Sequence, residues 1–395
     1  MSNQLSTDTI LTRGVAQVLP DKESLLSLME KRTIRVYLGI DPSGAYLTLG
    51  HSVVLRKLQQ FADLGHDVIL LIGNGTVRIG DPTGKDSTRP VLTDEQIEEN
   101  FKDWKRQASK VLNFDKITIK HNGDWLDKLN FVDILKLMAK TTVQQLMERD
   151  MFQKRLEEGK PIHGHEIMYP LLQGYDSVAM DIDLEIGGTD QTFNMMMGRT
   201  LQKAYNNKEK WVLATPIING TDGRKMSKSY GNYIALTEDH INMYGKLMST
   251  ADEEIITYFE VLTDIPMDEV NEMEMKIKDG ANPMEFKKKL AFEITKMYHD
   301  ERLAQEAADH FQKTVQNKEA PEEMEEVSVS DETMTIFDLV KACDNDESNS
   351  QIRRLITQGG VQLEGEKIVD PSAQISIKDG SVLKIGKRKY YRIKL

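Results

Sequence analysis

A short basic segment past the middle of the chain could bind a triphosphate. Residues 225–229 read Lys-Met-Ser-Lys-Ser, so two ammonium groups and two hydroxyls lie within five residues, and Gly223 and Gly231 flank them. Such a loop can fold over phosphate groups and stabilise charge that shifts between them during transfer. The same composition is common in mobile surface loops, so this segment alone leaves both interpretations open.

A second candidate for anion binding lies far upstream. Residues 47–51 read Leu-Thr-Leu-Gly-His, where a predicted helix begins. A helix N-terminus attracts anions, and Gly50 has no side chain to keep a nucleotide from the backbone. His51 could hydrogen-bond a phosphate, although a histidine at a helix start can also cap its own backbone.

A polar, glycine-rich stretch follows the second predicted strand. Residues 73–85 end in Gly-Asp-Pro-Thr-Gly-Lys, and Pro82 restricts Asp81 to an extended or turn conformation. A carboxylate held at a strand end suits an ammonium ligand, and Lys85 and Arg89 suit phosphates. An ordinary surface turn has the same composition.

Two further polar clusters occur later in the chain. Tyr169, Gln173 and Asp176 share one face of a predicted helix that is otherwise apolar. A buried polar stripe needs partners, and a polar ligand would supply them. Residues 187–191 read Gly-Gly-Thr-Asp-Gln after a predicted strand, and Asp190 could accept hydrogen bonds from ribose hydroxyls.

Alternating strands and helices are predicted to position these residues. The main predicted helices are 51–64 and 93–112, and the predicted strands are 35–40, 68–72, 116–120, 182–186 and 212–218. This alternation is typical of an α/β fold with a doubly wound, Rossmann-like parallel sheet, whose ligands bind at the carboxyl ends of the strands.

Changes of pattern predict four segments. They are a catalytic domain at 1–232 with a helical insertion near 130–174, a helical domain at 233–317, an acidic linker at 318–332 and a small α+β domain at 333–395. The apolar residues of the insertion could pack within a helical pair or form a subunit interface, and the sequence leaves both open.

Bulk composition limits the partners and the compartment. The formal net charge is −12, so any RNA contact must come from local basic patches. The single cysteine, Cys343, excludes an intrachain disulfide and a cysteine-based metal site, so we expect a reducing compartment, the cytoplasm, and no protein-bound metal. No secretory signal pattern or membrane-length apolar run is found, so no membrane partner is expected.

In this order, the motifs resemble those of the bacterial-type tyrosyl-tRNA synthetases, which are class I aminoacyl-tRNA synthetases. The resemblance covers nearly the whole chain, and it rests on residues 37–42, 50–51, 80–85, 169–176, 187–191 and 225–229. It implies a homodimer that uses ATP with Mg²⁺. Tyrosine would attack the α-phosphate to give tyrosyl-adenylate and pyrophosphate, and the adenylate would then acylate tRNA and release AMP.

The resemblance also implies roles for individual residues, with the phenol held by Tyr37 and Asp176. The substrate-binding set is Tyr37, Thr76, Asp81, Tyr169, Gln173, Asp176 and Gln191. The ATP-binding set is Asp41, Ser43, Gly50, His51, Gly188, Asp190 and Lys228. The catalytic set is Thr48, His51, Lys85, Arg89, Lys225 and Lys228. Within it, Lys85, Arg89, Lys225 and Lys228 would stabilise the leaving pyrophosphate.

Two positions depart from the family pattern. Thr48 stands where the family usually has histidine, and Ser43 stands where threonine is more usual. A threonine hydroxyl can donate to a phosphate oxygen but cannot carry charge. We therefore expect Lys225 and Lys228 to supply more of the transition-state stabilisation in this chain.

The C-terminal segment resembles an S4-type RNA-binding domain. The resemblance rests on residues 351–356 and on Gly-Gly-Val at 359–361. The expected RNA-binding residues are Arg353, Arg354, Lys387, Arg388 and Lys389. A small α+β domain with a solvated basic face is the alternative.

Two other functions compete with this interpretation. A tryptophanyl-tRNA synthetase shares the architecture, but an indole does not require the Tyr37 and Asp176 pair. An RNA-binding protein with a decayed catalytic core would explain Thr48, but it would not explain why Asp81, Lys225 and Lys228 are all present.

Overall fold

The described residues of this computed structural model are 6–42, 46–83, 93–316, 324–344, 348–386 and 389–395. They fall into two units, which divide the chain between residues 301 and 302. The sequence-based boundaries at 232, 317 and 332 are drawn differently, because they follow changes of composition and not the packing of one element on another.

Six strands form one sheet within the described part of the first unit. They are β1 (Gln17–Leu19), β2 (Arg35–Ile40), β3 (Asp67–Ile72), β4 (Ile117–His121), β5 (Leu184–Gly188) and β6 (Trp211–Thr215). The strand order is β1-β6-β5-β2-β3-β4, with β1 antiparallel to β6 and the other neighbours parallel. The predicted α/β fold with a Rossmann-like parallel sheet is therefore confirmed. The edge strand β1 is too short to show a pattern in the sequence.

Strands β2 and β5 are neighbours in the sheet although about 150 residues separate them. The strand order reverses between them, and such a switch point leaves a crevice outside the carboxyl ends of the strands. Tyr37 on β2 lies opposite Glu185 on β5. The two side chains therefore project from the same face of the sheet.

The helices of the first unit cover the sheet and extend past it. They are α1 (Thr7–Ile10), α2 (Lys22–Lys31), α3 (Leu49–Asp63), α4 (Asp94–Ala108), α5 (Gly123–Leu126), α6 (Phe131–Met138), α7 (Val143–Met147), α8 (Asp150–Glu157), α9 (Tyr169–Ala179), α10 (Thr192–Asn206), α11 (His240–Leu247), α12 (Ile255–Leu262), α13 (Met267–Lys278) and α14 (Pro283–Tyr298).

Helix α3 carries the turn that the sequence associates with anion binding. Leu55, Leu58 and Phe61 are fully buried, as a helix with one apolar face requires. The helix begins two residues before the predicted start, because Thr48 is the extended residue that caps it. It ends before Gly65, which has a positive φ of 83° that favours glycine.

The second unit is a small α+β structure. Its helices are α15 (Glu301–Phe311), α16 (Ile336–Cys343) and α17 (Asn349–Thr357), and its strands are β7 (Glu325–Ser328), β8 (Thr333–Thr335), β9 (Val361–Leu363), β10 (Glu366–Ile368), β11 (Gln374–Ser376), β12 (Val382–Ile385) and β13 (Lys389–Lys394). Among the described residues, β10-β9-β12-β13-β7 form one sheet and β11-β8 a second. Helices and sheet share a core that includes Ile336, Ile352 and Leu383.

Residues 325–328, which the sequence assigns to the acidic linker, form β7. This strand pairs in parallel with β13, and Val327 packs against the core of the second unit. The acidic side chains around Val327 hide this packing in the sequence. Residues 318–323 of the predicted linker lie outside the described residues. Across the described parts of both units, no helix combines the length and the apolar composition needed to cross a bilayer.

Candidate active site

A cavity of about 1020 Å³ opens at the carboxyl ends of β2 and β5. Sites for drug-sized ligands typically measure roughly 300–1000 Å³, so this one has room for two small substrates side by side. It is lined by predicted site residues from six separate sequence motifs. These are Tyr37, Asp41, His51, Thr76, Asp81, Tyr169, Gln173, Asp176, Gly188, Asp190, Gln191, Lys225 and Lys228.

One end of the cavity is shielded from solvent and suits the hydroxyl group of a ligand. Asp176 is buried and accepts hydrogen bonds from Asn122 Nδ2 at 3.1 Å and from Trp125 Nε1 at 2.8 Å. The Tyr37 hydroxyl shares a hydrogen bond with Ser177 Oγ at 3.2 Å. Burial raises the pKa of the Asp176 carboxyl and of the Tyr37 phenol well above their ordinary values. A ligand that donates a hydrogen bond to Asp176 would offset the lost hydration.

A second polar cluster centres on Asp41. Its two carboxylate oxygens accept hydrogen bonds from the Tyr169 hydroxyl and from Thr76 Oγ1, both at 2.8 Å. A Cβ on Gly73 would overlap Asp41 Oδ1, so only glycine leaves space for this carboxylate. The resemblance implies an ATP-binding role for Asp41. In the structure, Asp41 bonds to Tyr169 and Thr76, two members of the predicted substrate-binding set, and its ATP-binding role stays a prediction.

Asp81 and Gln191 lie beside this cluster. Gln191 Nε2 donates to Asp81 Oδ2 at 2.8 Å, although 110 residues separate the two. The Thr83 hydroxyl and main-chain N–H both donate to Asp81 Oδ1. The turn after β3 therefore holds a second carboxylate at the cavity, as an ammonium ligand would require.

His51 is neutral and oriented. Its Nδ1 accepts a hydrogen bond from the Thr48 main-chain N–H at 3.2 Å, and it lies 2.9 Å from Thr48 Oγ1. Burial and the charge of Lys228 lower the pKa of His51 to about 4. Because Nδ1 accepts, the neutral ring carries its proton on Nε2, which is then a donor for a ligand in the cavity. The ring also makes an edge contact with Trp104.

Thr48 and Gly50 are not among the described residues that line the cavity. Thr48 is 4% exposed, and its hydroxyl lies 2.9 Å from His51 Nδ1. Its place in the catalytic set stays a prediction. The sequence could not show the contact with His51, because an N-cap hydroxyl and a ligand-binding hydroxyl look alike.

The basic segment 225–229 lies at the edge of the same cavity. Lys225 Nζ makes an ion pair with Asp190 at 3.0 Å, and Lys228 Nζ lies 5.9 Å from the Trp104 ring centre. Asn232 anchors the segment: its side chain accepts from the Ser227 main-chain N–H at 2.8 Å and donates to the Lys225 carbonyl. Both lysines are therefore held at one side of the cavity, where they can neutralise a polyanion.

Sequence reasoning missed several polar residues at the cavity. Asn122 and Trp125 follow β4 without any recognisable motif. Glu185 lines the cavity from within β5 and is 1% exposed. A charged residue in a buried strand is the one signal that could have found it, since such a group needs a partner.

Residues 29–316 match the model of the family described as "tRNA synthetases class I (W and Y)". The chain belongs to this family of class I tRNA synthetases. The chain is 48% identical to a tyrosine--tRNA ligase of Thermotoga maritima, over 97% of this chain and 96% of that protein. It is 43% identical to a tyrosine--tRNA ligase of Aquifex aeolicus, over 97% of each chain.

Solved structures support the fold of the synthetase. The Archaeoglobus fulgidus tyrosyl-tRNA synthetase complexed with L-tyrosine matches with a TM-score of 0.61 at 22% identity. The match covers 76% of this chain and 98% of that one. At this identity the comparison supports the shared fold alone.

Some predicted residues of the synthetase lie outside the described residues: Ser43, Lys85, Arg89, Lys387 and Arg388. In the second unit, Arg353 and Arg354 are exposed on α17, and the Arg353 guanidinium lies 4.6 Å from the Phe337 ring centre. Lys389 is paired with Asp344. In the described residues, no group of three or more His, Cys, Asp or Glu side chains is arranged to hold a metal ion.

Proposed function

We propose that this class I synthetase joins L-tyrosine to tRNA(Tyr) in two steps through tyrosyl-adenylate. The observation that carries the choice of amino acid is the buried end of the cavity, where Asp176 and Tyr37 offer an acceptor and a hydroxyl to a phenol. The relatives that match over nearly their full length are tyrosine--tRNA ligases.

In the first step, the substrate carboxylate attacks the α-phosphate of ATP, which carries Mg²⁺ as part of the substrate. The ammonium group of tyrosine lies among Asp41, Asp81 and Tyr169, whose oxygens suit a donor-only cation. This holds the carboxylate at one place in the cavity. Catalysis then comes from position and charge stabilisation, without a protein nucleophile.

The leaving pyrophosphate gains negative charge on the side where the basic segment lies. Lys225 and Lys228 stabilise this charge, together with the Nε2–H of neutral His51. Lys225 is paired with Asp190 before ATP binds. We infer that the ribose hydroxyls take over Asp190 and release Lys225 for the phosphates, which couples nucleotide binding to the movement of the segment.

In the second step, the terminal adenosine of tRNA takes the tyrosyl group and AMP leaves. Arg353 and Arg354, exposed on α17, belong to the surface that we propose for RNA. Because ATP and charged tRNA serve translation, we expect the enzyme in the cytoplasm. Charging of bulk tRNA with labelled tyrosine tests this function. We expect acid-precipitable label that depends on ATP, and its absence would overturn the proposal.

A tryptophan enzyme is the second candidate, because the matching family model covers both amino acids. An indole has one N–H donor and no hydroxyl, so it would leave either the Tyr37 hydroxyl or Asp176 without a ligand partner. Buried polar groups left unpaired cost free energy. The cavity therefore favours tyrosine.

Thr48 is proposed to act by positioning His51. Replacing Thr48 with valine keeps the volume and the main-chain bond to Nδ1 but removes the hydroxyl. One neutral hydrogen bond contributes about 0.5–1.5 kcal/mol, so we expect adenylate formation to slow about 2–10-fold. Single-turnover measurements check this. Thr200→Val, which removes an exposed hydroxyl on α10, is the matched control, and equal rates for the two variants would contradict the assignment.

We propose that a homodimer forms through the helical insertion. Phe131, Val132, Leu135, Met138 and Val143 are 42–74% exposed, whereas Leu137, Leu146 and Phe152 are buried inside the fold. The apolar residues of this segment thus serve both packing and an exposed surface. Contiguous apolar patches on a protein surface commonly mark an interface, and the isologous dimer is the commonest assembly.

Replacing Phe131 with aspartate is expected to separate the dimer. The substitution places a carboxylate on the apolar surface of each subunit, and dimer formation would bury this charge without an opposite charge beside it. Light scattering at micromolar concentration should give twice the chain mass for the natural protein and about one chain mass for the variant. Met275→Asp, at an exposed methionine on α13, should remain dimeric. A monomeric natural protein would contradict the proposal.

A further inference from the structure

A buried ion pair lies at the wall of the proposed tyrosine site, with Glu185 lining the cavity. Glu185 and Lys210 are 1% and 0% exposed, and Lys210 Nζ contacts Glu185 Oε2. Nζ also donates to the Met195 carbonyl at 2.9 Å. Removing two charges from water costs free energy, and their mutual attraction often does not offset that cost. The pair is therefore not explained by a contribution to the stability of the fold, and a functional role would explain its presence.

The fold leaves a specific space for this lysine. A Cβ on Gly198 of α10 would overlap Lys210 Nζ and lie 2.7 Å from Ser177 Oγ, so glycine is needed there. Lys210 Nζ lies 5.9 Å from the ring centre of Tyr37. The ammonium group therefore adjoins the wall of the cavity without lining it.

The second oxygen of Glu185 holds Gln173. Gln173 Nε2 donates to Glu185 Oε1 at 3.0 Å. The ion pair has a proton between Glu185 Oε2 and Lys210 Nζ, and this holds for either assignment of the proton. Glu185 Oε1 carries no proton, so it can only accept a hydrogen bond. If the Gln173 amide were rotated by 180°, its oxygen would face Glu185 Oε1, and two hydrogen-bond acceptors would lie next to each other. The amide nitrogen of Gln173 therefore points to Glu185, and its oxygen is the end available to the cavity.

We propose that the Glu185–Lys210 pair is a positioning device for amino acid recognition, which presents Gln173 Oε1 to the ammonium group of the substrate. An ammonium group has three donors and no acceptor, so it needs oxygen atoms around it. A reversed Gln173 would present N–H groups and repel it. This inference rests on the proposed function, because it needs an α-amino acid in the cavity.

The charges around Glu185 define what happens when Lys210 is removed. Lys210 and Arg199 are the cations that act there, and Asp176 on α9 and the Tyr37 phenol on β2 are the other titratable groups. Burial lowers the pKa of Lys210, and the negative charges of Glu185 and Asp176 oppose that shift. Without Lys210, no cation lies at Glu185 Oε2, and nothing fixes Oε1 as an acceptor.

Lys210→Met tests the proposal through the KM for tyrosine. It removes the group that keeps Glu185 Oε1 an acceptor, so the Gln173 amide can reverse and we expect the KM to rise about tenfold. The KM for ATP should stay within about threefold of the natural value.

A substrate analogue without the amino group separates positioning from general damage. The probe is 3-(4-hydroxyphenyl)propionate, measured as a competitive inhibitor against tyrosine. Its inhibition constant should be the same in the natural protein and in Lys210→Met, because it has no ammonium group for Gln173 to bind. Equal weakening of the analogue and of tyrosine would overturn the proposal, and so would a KM for tyrosine that stays at the natural value in Lys210→Met.

Glu185→Gln provides a second variant that keeps the volume. Its amide can either donate to Gln173 or accept from it, so the orientation of Gln173 is lost. We expect a raised KM for tyrosine, and a natural KM would overturn the proposal. Tyrosine-dependent ATP–pyrophosphate exchange by the natural protein is measured in parallel. Its absence would refute the proposed function, so failure of the proposed function can be told apart from failure of the positioning proposal.

Discussion

Replacing Asp176 with asparagine is expected to lower kcat/KM for tyrosine about 10–100-fold and to leave the much smaller value for phenylalanine nearly unchanged. The carboxylate is buried, and it accepts from Asn122 and Trp125. A hydrogen bond to a charged group contributes about 1.5–3 kcal/mol, which sets the size of the loss. Phenylalanine has no hydroxyl group and makes no such bond, so its kcat/KM should not depend on the Asp176 carboxylate.

The discrimination between these amino acids should fall by the same factor. A site built around a substrate hydroxyl rejects the analogue lacking it by about 10⁴–10⁵-fold, a figure taken from this enzyme family itself. Pyrophosphate exchange with each amino acid measures the ratio. Asp181→Asn is the matched control, since Asp181 is about half exposed and pairs with Lys208 outside the cavity. An unchanged ratio in Asp176→Asn would contradict the role of this carboxylate.

Replacing Lys228 with alanine is expected to slow adenylate formation about 10²–10³-fold while tyrosine binding stays near normal. Lys228 lines the cavity next to His51 and Trp104. Removing one group that stabilises transition-state charge typically costs about 2.7–4 kcal/mol. This range corresponds to the expected slowing of about 10²–10³-fold.

Single-turnover kinetics and equilibrium dialysis with tyrosine separate the two effects of this substitution. The rate should fall and the dissociation constant should change less than about threefold, which is the pattern of an interaction made only in the transition state. Lys276→Ala is the matched control, because Lys276 is exposed on α13 and pairs with Glu272. A rate within about threefold of the natural protein would rule out a dominant role for Lys228.

The strands that carry the site were predictable from local pattern. Continuous apolar runs at 35–40 and 68–72 ended at turns rich in glycine and proline, and both runs form strands of the parallel sheet. Parallel strands place their carboxyl ends at one edge, so the residues after them had to meet there. This is why motifs from distant parts of the chain line one cavity.

The roles of individual polar side chains were less predictable, because their partners are remote in sequence. Asp41 follows β2 in a turn that could face a nucleotide, and its hydrogen bond with Tyr169, 128 residues away, does not follow from that turn. The hydroxyl of Thr48 turned out to contact His51, three residues on. Local pattern does not determine such choices.

The buried lysine was hidden for a different reason. Residues 206–210 read Asn-Asn-Lys-Glu-Lys, a composition typical of a solvated loop. Lys208 and Glu209 do pair near the surface with Asp181 and Arg199, whereas Lys210 turns inward to Glu185. The inward turn depends on the space that Gly198 leaves, and that space exists only after α10 packs on the sheet.

The most direct test is ATP–pyrophosphate exchange by the purified natural protein with tyrosine, tryptophan and phenylalanine in separate reactions. The fit of a phenol between Tyr37 and Asp176 predicts rapid exchange with tyrosine and exchange lower by several orders of magnitude with the other two. No exchange with tyrosine, or equal exchange with tryptophan, would contradict the account.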